Sequence, residues 1–266
     1  MTSSVVVNVK KKRITELLKN GERTDGRGLN DYRDIQIECG VIEKAEGSAR
    51  VRLGQTDVMV GVKVGTGTPF PDTPEKGVLT CNAELVPLAS PVFETGPPGE
   101  DAVELARVVD RGIRESEAID VEKLCVEPGK LVFVVFVDIY VLNHDGNLID
   151  ASAIAALAAL LNTKMFKYTV EDQKIVKQPG YTPLPVVDHP IAVTFAKIGD
   201  TLILDTGLDE EHVMDARLTV TMKKDGNICA MQKGGGSGFF TKEEIFEAVK
   251  VASKKCKEIR KIVVKS

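Results

Sequence analysis

The longest apolar stretch of the chain leads through a polar turn into a helix without a polar side. Residues 131–142 (LVFVVFVDIYVL) predict a central strand that is covered on both faces, and residues 151–161 predict a buried helix. The turn at residues 143–150 (NHDGNLID) lies where free N–H groups and the helix dipole favour an anion. It has one glycine and no lysine or arginine, and Asp150 is expected to cap the helix. The architecture of a phosphate site is therefore predicted without its chemistry.

The first half of the chain alternates predicted strands with turns. A short basic helix is expected at residues 10–20, ended by Gly21. Strands are expected at residues 35–39, 47–53, 58–64 and 78–86, with residues 54–57 forming a hairpin turn. Residues 65–77, rich in proline and glycine, predict a projecting loop. A helix is expected at residues 101–116, with Asp101 and Glu104 as a capping box.

The second half repeats the order of strands followed by a helix. Residues 165–188 are polar and contain several prolines, which predicts a connection between two halves. Strands are expected at residues 191–195, 201–205, 218–222 and 228–232, followed by a glycine-rich turn at 234–238. A long helix at residues 241–263 begins with a Thr241–Glu244 capping box. Its predicted apolar stripe is Ile245, Val249, Ala252, Cys256 and Ile259. This order predicts an α+β fold with two similar halves.

The composition and charge of the chain argue against several classes of function. A net charge of −4 over 266 residues argues against a chain that coats itself in nucleic acid, so such contact requires a local basic stripe or a partner. The five cysteines show no CxxC spacing, which favours reduced thiols over a zinc site or a disulfide framework. The sequence shows no apolar run long enough to span a bilayer and no signal-peptide pattern at its start. We therefore predict a cytoplasmic protein without a membrane segment.

Several short motifs stand in order along the chain. They are RTDGR at 23–27, YRDI at 32–35, GSA at 47–49, GQTDV at 54–58, ELAR at 104–107, DRGIR at 110–114, DG at 145–146, LD at 204–205 and EE at 210–211. The set resembles the RNase PH family of phosphorolytic exoribonucleases over residues 22–262, and within it the non-catalytic ring subunit of the archaeal exosome. The resemblance implies an RNase PH-like fold of mixed β-sheets with packed helices. It also implies an N-terminal helical extension (1–21), a first domain (22–188) and a C-terminal domain (189–266).

Two departures from the family pattern distinguish this chain from active members. Active members hold phosphate with Gly-Thr/Ser-Arg after the Asp-Gly pair, where this chain has Asn147, Leu148 and Ile149. Active members also carry two aspartates six residues apart after the Leu-Asp strand, where this chain has Glu211 and Arg217. Arginine neither binds magnesium nor accepts a proton near neutral pH. We therefore expect no catalytic residue, no metal ligand and no cofactor in this chain.

Three arginines form one stripe of the helix at residues 101–116. Arg107, Arg111 and Arg114 recur at i, i+4 and i+7. Spacing alone also fits a solvated face paired with Glu104 and Glu115. The resemblance implies instead that the stripe contacts the phosphates of single-stranded RNA.

Other candidate features carry structural interpretations. The acids after residue 204 favour a structural turn or subunit contact over a metal site; they are Asp205, Asp209, Glu210, Glu211 and Asp215. The basic patch at residues 10–13 favours an exposed helix face over contact with nucleic acid or a partner. His144 has no serine or cysteine assignable as a nucleophile. The run at 234–238 lacks the Gly-Lys-Ser/Thr end of a phosphate loop.

The resemblance implies a subunit of a ring that degrades RNA from 3′ to 5′ with phosphate. In this interpretation three heterodimers with a catalytic RNase PH-type subunit form a hexameric ring, with RNA-binding cap proteins on one face. The present chain would shape the partner's active site. Two alternatives remain open. One is a phosphate-dependent exoribonuclease active on its own through Glu211 or Asp215, and the other is a structural or regulatory protein that keeps the fold without binding RNA.

Overall fold

The computed structural model describes residues 4–171 and 174–266 as an α+β fold of two packed halves. Residues 1–3 of the predicted extension and residues 172–173 of the predicted connection lie outside the described residues. The helices are α1 (Ser4–Lys19), α2 (Glu100–Glu115), α3 (Leu148–Leu161), α4 (Leu208–Glu211) and α5 (Lys242–Val263), with a short 3₁₀ helix at Val121–Leu124. The strands are β1 (Ile35–Cys39), β2 (Gly47–Leu53), β3 (Thr56–Gly67), β4 (Val78–Leu85), β5 (Cys125–Glu127), β6 (Leu131–Asn143), β7 (Lys164–Glu171), β8 (Lys174–Pro183), β9 (Ile191–Ile198), β10 (Thr201–Leu204), β11 (Ala216–Met222) and β12 (Ile228–Gly234).

The first half is built on a mixed sheet with the order β1-β2-β3-β6-β4, to which β5 adds by pairing with β6. β4 runs parallel to β6, and the other pairs are antiparallel. The predicted interior position of β6 is confirmed, but the prediction that both of its faces are buried is wrong. Val135 and Val137 are fully buried, whereas Phe136 and Tyr140 on the other face are each 38% exposed. Side chains alternate across a strand, so one packed face buries only every second residue.

Helix α3 joins the two halves through one continuous core. Its apolar residues are buried on all sides, as predicted, and they pack against β2 and β3 of the first sheet and β9 of the second. The predicted cap is wrong, because the N-cap is Asn147 and Asp150 lies fully buried within the first turn. Asn147 has a φ of 52°, a left-handed conformation that asparagine adopts more readily than most residues.

The second half is a sheet with the order β10-β9-β11-β12, antiparallel throughout, with α5 packed on β9 and β11. The predicted stripe of α5 is confirmed, since Ala252, Cys256 and Ile259 are buried and the more N-terminal stripe residues pack partly buried against the same core. Its capping box is also confirmed. The Glu244 N–H donates to Thr241 Oγ1 at 3.2 Å, and the Thr241 N–H donates to Glu244 Oε2 at 2.7 Å.

Several predicted boundaries are corrected. Helix α1 already includes Ser4, and the β2–β3 turn consists of residues 54–55, because Thr56 pairs with Leu53. β3 continues to Gly67 beside β6, so the predicted loop is limited to residues 68–77. The predicted connection between the halves contains the β7–β8 hairpin.

The start of α2 also differs from the prediction. Gly99 is the N-cap and has no side chain to accept a capping hydrogen bond, while Asp101 lies inside the first turn. Glu104 forms no capping box, because its carboxylate accepts hydrogen bonds from Arg217 and Gln232, which belong to the sheet of the second half.

The five cysteines are free thiols, as predicted. Within residues 4–171 and 174–266, the helices are all too short or too polar to cross a bilayer.

Candidate functional site

The turn between β6 and α3, residues 143–150, is held by a buried ion cluster around Asp205. Arg33 donates from Nε and Nη2 to the two carboxylate oxygens of Asp205 at 3.0 and 2.8 Å. Arg27 Nη1 and Asn147 Nδ2 donate to the same carboxylate at 2.9 and 2.8 Å. Burial raises the pKa of Asp205, but the hydrogen bonds and charge of Arg33 outweigh that effect and hold the pKa below its ordinary value.

Arg33 also ties the turn to the start of α4. It donates to the carbonyls of Asp145, at 2.6 Å, and of Gly146 and Thr206, both at 3.2 Å. Gly146 has a φ of 87°, and a Cβ there would lie 2.4 Å from the Thr206 carbonyl oxygen, so only glycine fits. Arg23 similarly donates from Nε to Glu210, at 2.9 Å, and from Nη1 to the Leu204 carbonyl. These motif arginines thus support the backbone and are not available to a ligand.

Several N–H groups of the turn donate to acceptors within the chain. Asp145 N–H donates to Thr56 Oγ1 at 3.2 Å, and Gly146 N–H donates to His144 Nδ1 at 3.3 Å. Asn147 N–H donates to Glu211 Oε1 at 2.7 Å. A carboxylate of the protein therefore occupies the position at the start of α3 where helix geometry favours an anion.

A cavity of about 180 Å³ lies beside this turn, and the charged residues that line it are mostly acidic. Its charged lining comprises Asp101, Glu104, Glu211 and Arg217, and Arg217 Nη2 already donates to Glu104 Oε1 at 2.7 Å. Burial raises the pKa of Glu211 and lowers the pKa of His144, which also lines the cavity. The cavity therefore disfavours phosphate. Leu148 and Ile149, the other predicted departures, contribute only apolar lining.

Asp150 lies on the other side of the turn, in a buried polar network that links the two halves. It accepts hydrogen bonds from Tyr32 Oη at 2.6 Å, Asn147 Nδ2 at 3.0 Å and Thr194 Oγ1 at 2.7 Å. Burial raises the pKa of Asp150 to about 6, against the opposing effect of these hydrogen bonds. The sequence signal for this role was weak, since a polar residue before an apolar run is typical of a cap.

The remaining acids and the basic patch pair with each other. Lys10 Nζ lies 2.7 Å from Asp209, and Lys11 pairs with Asp215, so α1 is attached to the second half. Asp215 also accepts from the Gly199 N–H at 2.7 Å. The structural interpretation of these charges fits this arrangement. In the described part of the chain, no group of three or more His, Cys, Asp or Glu side chains is arranged to hold a metal ion.

The predicted arginine stripe lies in a groove of about 420 Å³ between α2 and β4. Arg107 and Arg111 are exposed and form no ion pair with any described residue. Arg114 forms a bidentate pair with Asp110, which raises the pKa of its guanidinium further. The alternative pairing of the stripe with Glu104 is wrong, because Glu104 bonds to Arg217 and to Gln232. A groove with two unengaged guanidinium groups is suited to a polyanion.

Comparisons with known proteins identify the family of the chain. The chain belongs to the RNase PH, 3′ exoribonuclease family, whose domain 1 matches residues 31–165 and whose domain 2 matches residues 188–255. The resemblance stated from the motifs is thereby confirmed. Among curated relatives it is 57% identical over 264 residues to the exosome complex component Rrp42 of Thermococcus gammatolerans, covering 98% of this chain and 96% of that protein. It is 49% identical over 263 residues to Rrp42 of Methanothermobacter thermautotrophicus, covering 98% and 97%.

Solved structures give the same assignment. A chain of the Archaeoglobus fulgidus exosome with RNA bound to the active site matches with a TM-score of 0.88 and 47% identity, covering 97% of this chain and 99% of that one. A chain of an archaeal exosome core matches with a TM-score of 0.87 and 44% identity, covering 99% of each. Rice Rrp46, at 20% identity and a TM-score of 0.68 over 91% of this chain and 98% of that one, shares the fold.

Proposed function

We propose that this chain is a non-catalytic subunit of an exosome core ring that degrades RNA from 3′ to 5′ by phosphorolysis. Its relatives are named exosome components, and one matching structure is an exosome with RNA bound to the active site. In this proposal the chain structures the active site of a catalytic RNase PH-type partner and binds RNA.

The position of Glu211 is the main support for the proposal that this chain is not catalytic. Its carboxylate accepts the Asn147 N–H at the start of α3, where an attacking phosphate would need that donor. Arg217, which lines the adjacent cavity, is already paired with Glu104. Phosphate would have to displace one carboxylate and compete with another, so the chain by itself lacks the means to position its co-substrate.

The proposed contribution to the shared site is the arginine stripe. RNA binding by this route depends on the phosphate backbone, so it is tolerant of sequence and sensitive to salt. Arg107 and Arg111 present guanidinium groups that no described side chain neutralises, while Arg114 is held in place at the end of the same groove. The stripe can therefore hold a strand while a partner carries out the reaction.

The proposed assembly is a ring of three heterodimers with the catalytic subunit, with RNA-binding cap proteins on one face, in the cytoplasm. The proposed division of the chain is an extension at residues 1–21, a first domain at 22–188 and a C-terminal domain at 189–266. The core that runs from β3 through α3 to β9 makes the last two parts a single packed body.

Reconstitution tests this proposal. Release of nucleoside diphosphates from a single-stranded RNA in the presence of phosphate is measured for this chain, for the catalytic-type homologue from the same genome, and for their mixture. Activity of the mixture above the sum of its parts, with none from this chain alone, is the expected result. Phosphate-dependent activity of this chain alone would contradict the proposal, and loss of that activity in Glu211→Gln or Asp215→Asn would establish the self-active alternative.

A further inference from the structure

The three arginines of the groove are not equivalent. Arg114 donates from Nε to Asp110 Oδ2 at 3.0 Å and from Nη2 to Asp110 Oδ1 at 2.7 Å. Nη2 also donates to the carbonyl of Leu79 at 2.9 Å, on β4 at the end of the sheet. Arg107 and Arg111 have no such restraints among residues 4–171 and 174–266. One member of the stripe is thus fixed to both walls of the groove.

The fixed arginine keeps part of its hydrogen-bonding capacity. A guanidinium carries five N–H groups, one on Nε and two on each terminal nitrogen. Nε and both hydrogens of Nη2 are engaged by Asp110 and Leu79, which leaves the two N–H groups of Nη1 for a ligand. The Arg114 side chain is 48% exposed, which leaves room for a ligand to reach the guanidinium.

We propose that Asp110 is a positioning residue for RNA binding, because it fixes the Arg114 guanidinium so that Nη1 meets one phosphate of the strand. The proposal rests on the function proposed above. It assigns a role to an acidic residue inside a groove that binds an anion, where charge alone predicts that the residue opposes binding. A pre-oriented guanidinium loses less side-chain entropy when the phosphate arrives, which favours binding despite the nearby carboxylate.

The groove contains a matched control for this idea. Glu115 lines the same groove, is exposed, and forms no ion pair with any side chain that the structure describes. Asp110→Asn and Glu115→Gln each remove one negative charge from the groove, but only the first disrupts the support of Arg114. Asp110→Asn therefore weakens RNA binding if Asp110 positions Arg114, and strengthens it if Asp110 only repels the RNA.

The experiment measures the affinity of a 5′-labelled single-stranded oligoribonucleotide by fluorescence anisotropy. The protein is the assembled complex with the catalytic-type homologue, in buffer without phosphate so that the RNA is not consumed. Asp110→Asn is expected to weaken binding about threefold, because the Arg114 side chain must then be ordered on binding, and Glu115→Gln to tighten it by up to about twofold. In an Arg114→Ala background Asp110→Asn is expected to tighten binding, because there is no longer a side chain to position.

A conservative replacement of Asp110 distinguishes a role in positioning Arg114 from an effect on folding. Asp110→Glu keeps a carboxylate at i−4 from Arg114 and is expected to retain most of the affinity. Thermal unfolding of each complex checks that the variants fold. Tighter binding by Asp110→Asn in the wild-type background would overturn the inference, and so would weaker binding that persists with Arg114→Ala.

The failure of the inference can be distinguished from that of the proposed function. Arg111→Ala is expected to weaken binding whether or not Asp110 positions Arg114. If Arg111→Ala weakens binding and Asp110→Asn tightens it, only the role of Asp110 is wrong. If neither the Arg111 nor the Arg107 replacement changes affinity, the RNA-binding function of the groove is wrong and the inference fails with it.

Discussion

The central turn at residues 143–150 and the groove between α2 and β4 are two anion-binding geometries with opposite outcomes. The turn has a helix N-terminus and a glycine that allows close backbone contact, but Glu211 takes the N–H of Asn147. The groove has no such backbone geometry, yet two of its arginines, Arg107 and Arg111, have no partner among the described residues. The turn gives the Asn147 N–H to a carboxylate of the protein, whereas the groove leaves two guanidinium groups unpaired within the described part of the chain.

The turn shows that a fold can keep the shape of an anion site after the protein itself has taken up the donor that would bind the anion. The strand, turn and helix that shape the site are intact, and Arg33 and Asp205 hold them in place. The protein's own carboxylate stands where an external anion would bind, which satisfies the same donor without any co-substrate. Its shape makes the turn resemble an anion site, but the unpaired guanidinium groups make the groove the better anion site.

The largest expected effect comes from breaking the support of the turn. Asp205→Asn removes the buried carboxylate that Arg33 and Arg27 share and is expected to lower the free energy of unfolding by about 3–5 kcal/mol. Denaturant unfolding measures this decrease. Asp209→Asn, in the same acidic segment but in the exposed pair with Lys10, is the control and is expected to cost less than about 0.5 kcal/mol. Equal costs for the two variants would show that the cluster does not hold the turn.

The second effect is a dependence of stability on pH at Asp150. The native state binds this proton more tightly than the unfolded chain does, because burial raises the pKa of Asp150 from 3.8 to about 6. Its contribution to stability is therefore largest at low pH and falls as pH rises from about 4 to 6. The stability difference between wild type and Asp150→Asn is expected to be about 2–3 kcal/mol larger at pH 4 than at pH 7. A constant difference between these pH values in denaturant unfolding would contradict the expectation.

The third prediction concerns the groove. Arg111→Glu in the assembled ring is expected to weaken single-stranded RNA binding about 10- to 30-fold near physiological salt, since a favourable guanidinium–phosphate interaction is replaced by a repulsion. The slope of log affinity against log salt is expected to become shallower by about 0.7 for each phosphate that the complex no longer neutralises. Lys250→Glu makes the same charge change at an exposed position on α5 and serves as the control. Similar reductions in affinity for both variants would mean that net charge, and not the groove, determines binding.

The smallest effect is expected at Glu211. Burial raises the pKa of this carboxylate, so its ionised form is disfavoured relative to an exposed glutamate, and Glu211→Gln keeps an oxygen that can accept the Asn147 N–H. The free energy of unfolding is therefore expected to change by less than about 1 kcal/mol. The isolated chain is expected to remain inactive with phosphate, because Arg217 in the cavity stays paired with Glu104 in wild type and variant. Appearance of phosphorolysis in Glu211→Gln would show that this carboxylate alone had closed the site.

Local signals in the sequence predicted local structure well. The alternation of residues 47–53 located β2 at its observed bounds, and Thr241 with Glu244 located the start of α5. Asp150 was assigned as a cap because short polar residues before an apolar run usually are caps. Asn147, three residues earlier, takes that role because Asp150 is drawn into the core by Tyr32 and Thr194. Those partners are distant in sequence, so no local pattern indicates them.

The candidate site divides in the same way. Helical spacing predicts that Arg107, Arg111 and Arg114 share one face of α2, but their RNA-binding role comes from the resemblance. The Asp110–Arg114 pair has the i, i+4 spacing that helices favour. Arg23, Arg27 and Arg33 likewise enter only as part of the resemblance. Their role depends on Asp205, which is 172 residues from Arg33, and spacing cannot reveal such a contact.

The reach of Arg33 has a consequence for the order of folding. Its side chain joins a residue near the start of the chain to Asp145 and Asp205, which are 112 and 172 residues away. Contacts that close such long loops have a high entropic cost and form after local pairings such as the β2–β3 hairpin. The turn at the start of α3 is therefore completed only when the beginning, middle and end of the chain have come together. Slow hydrogen exchange at the Asn147 amide would then report that a newly made chain has finished folding.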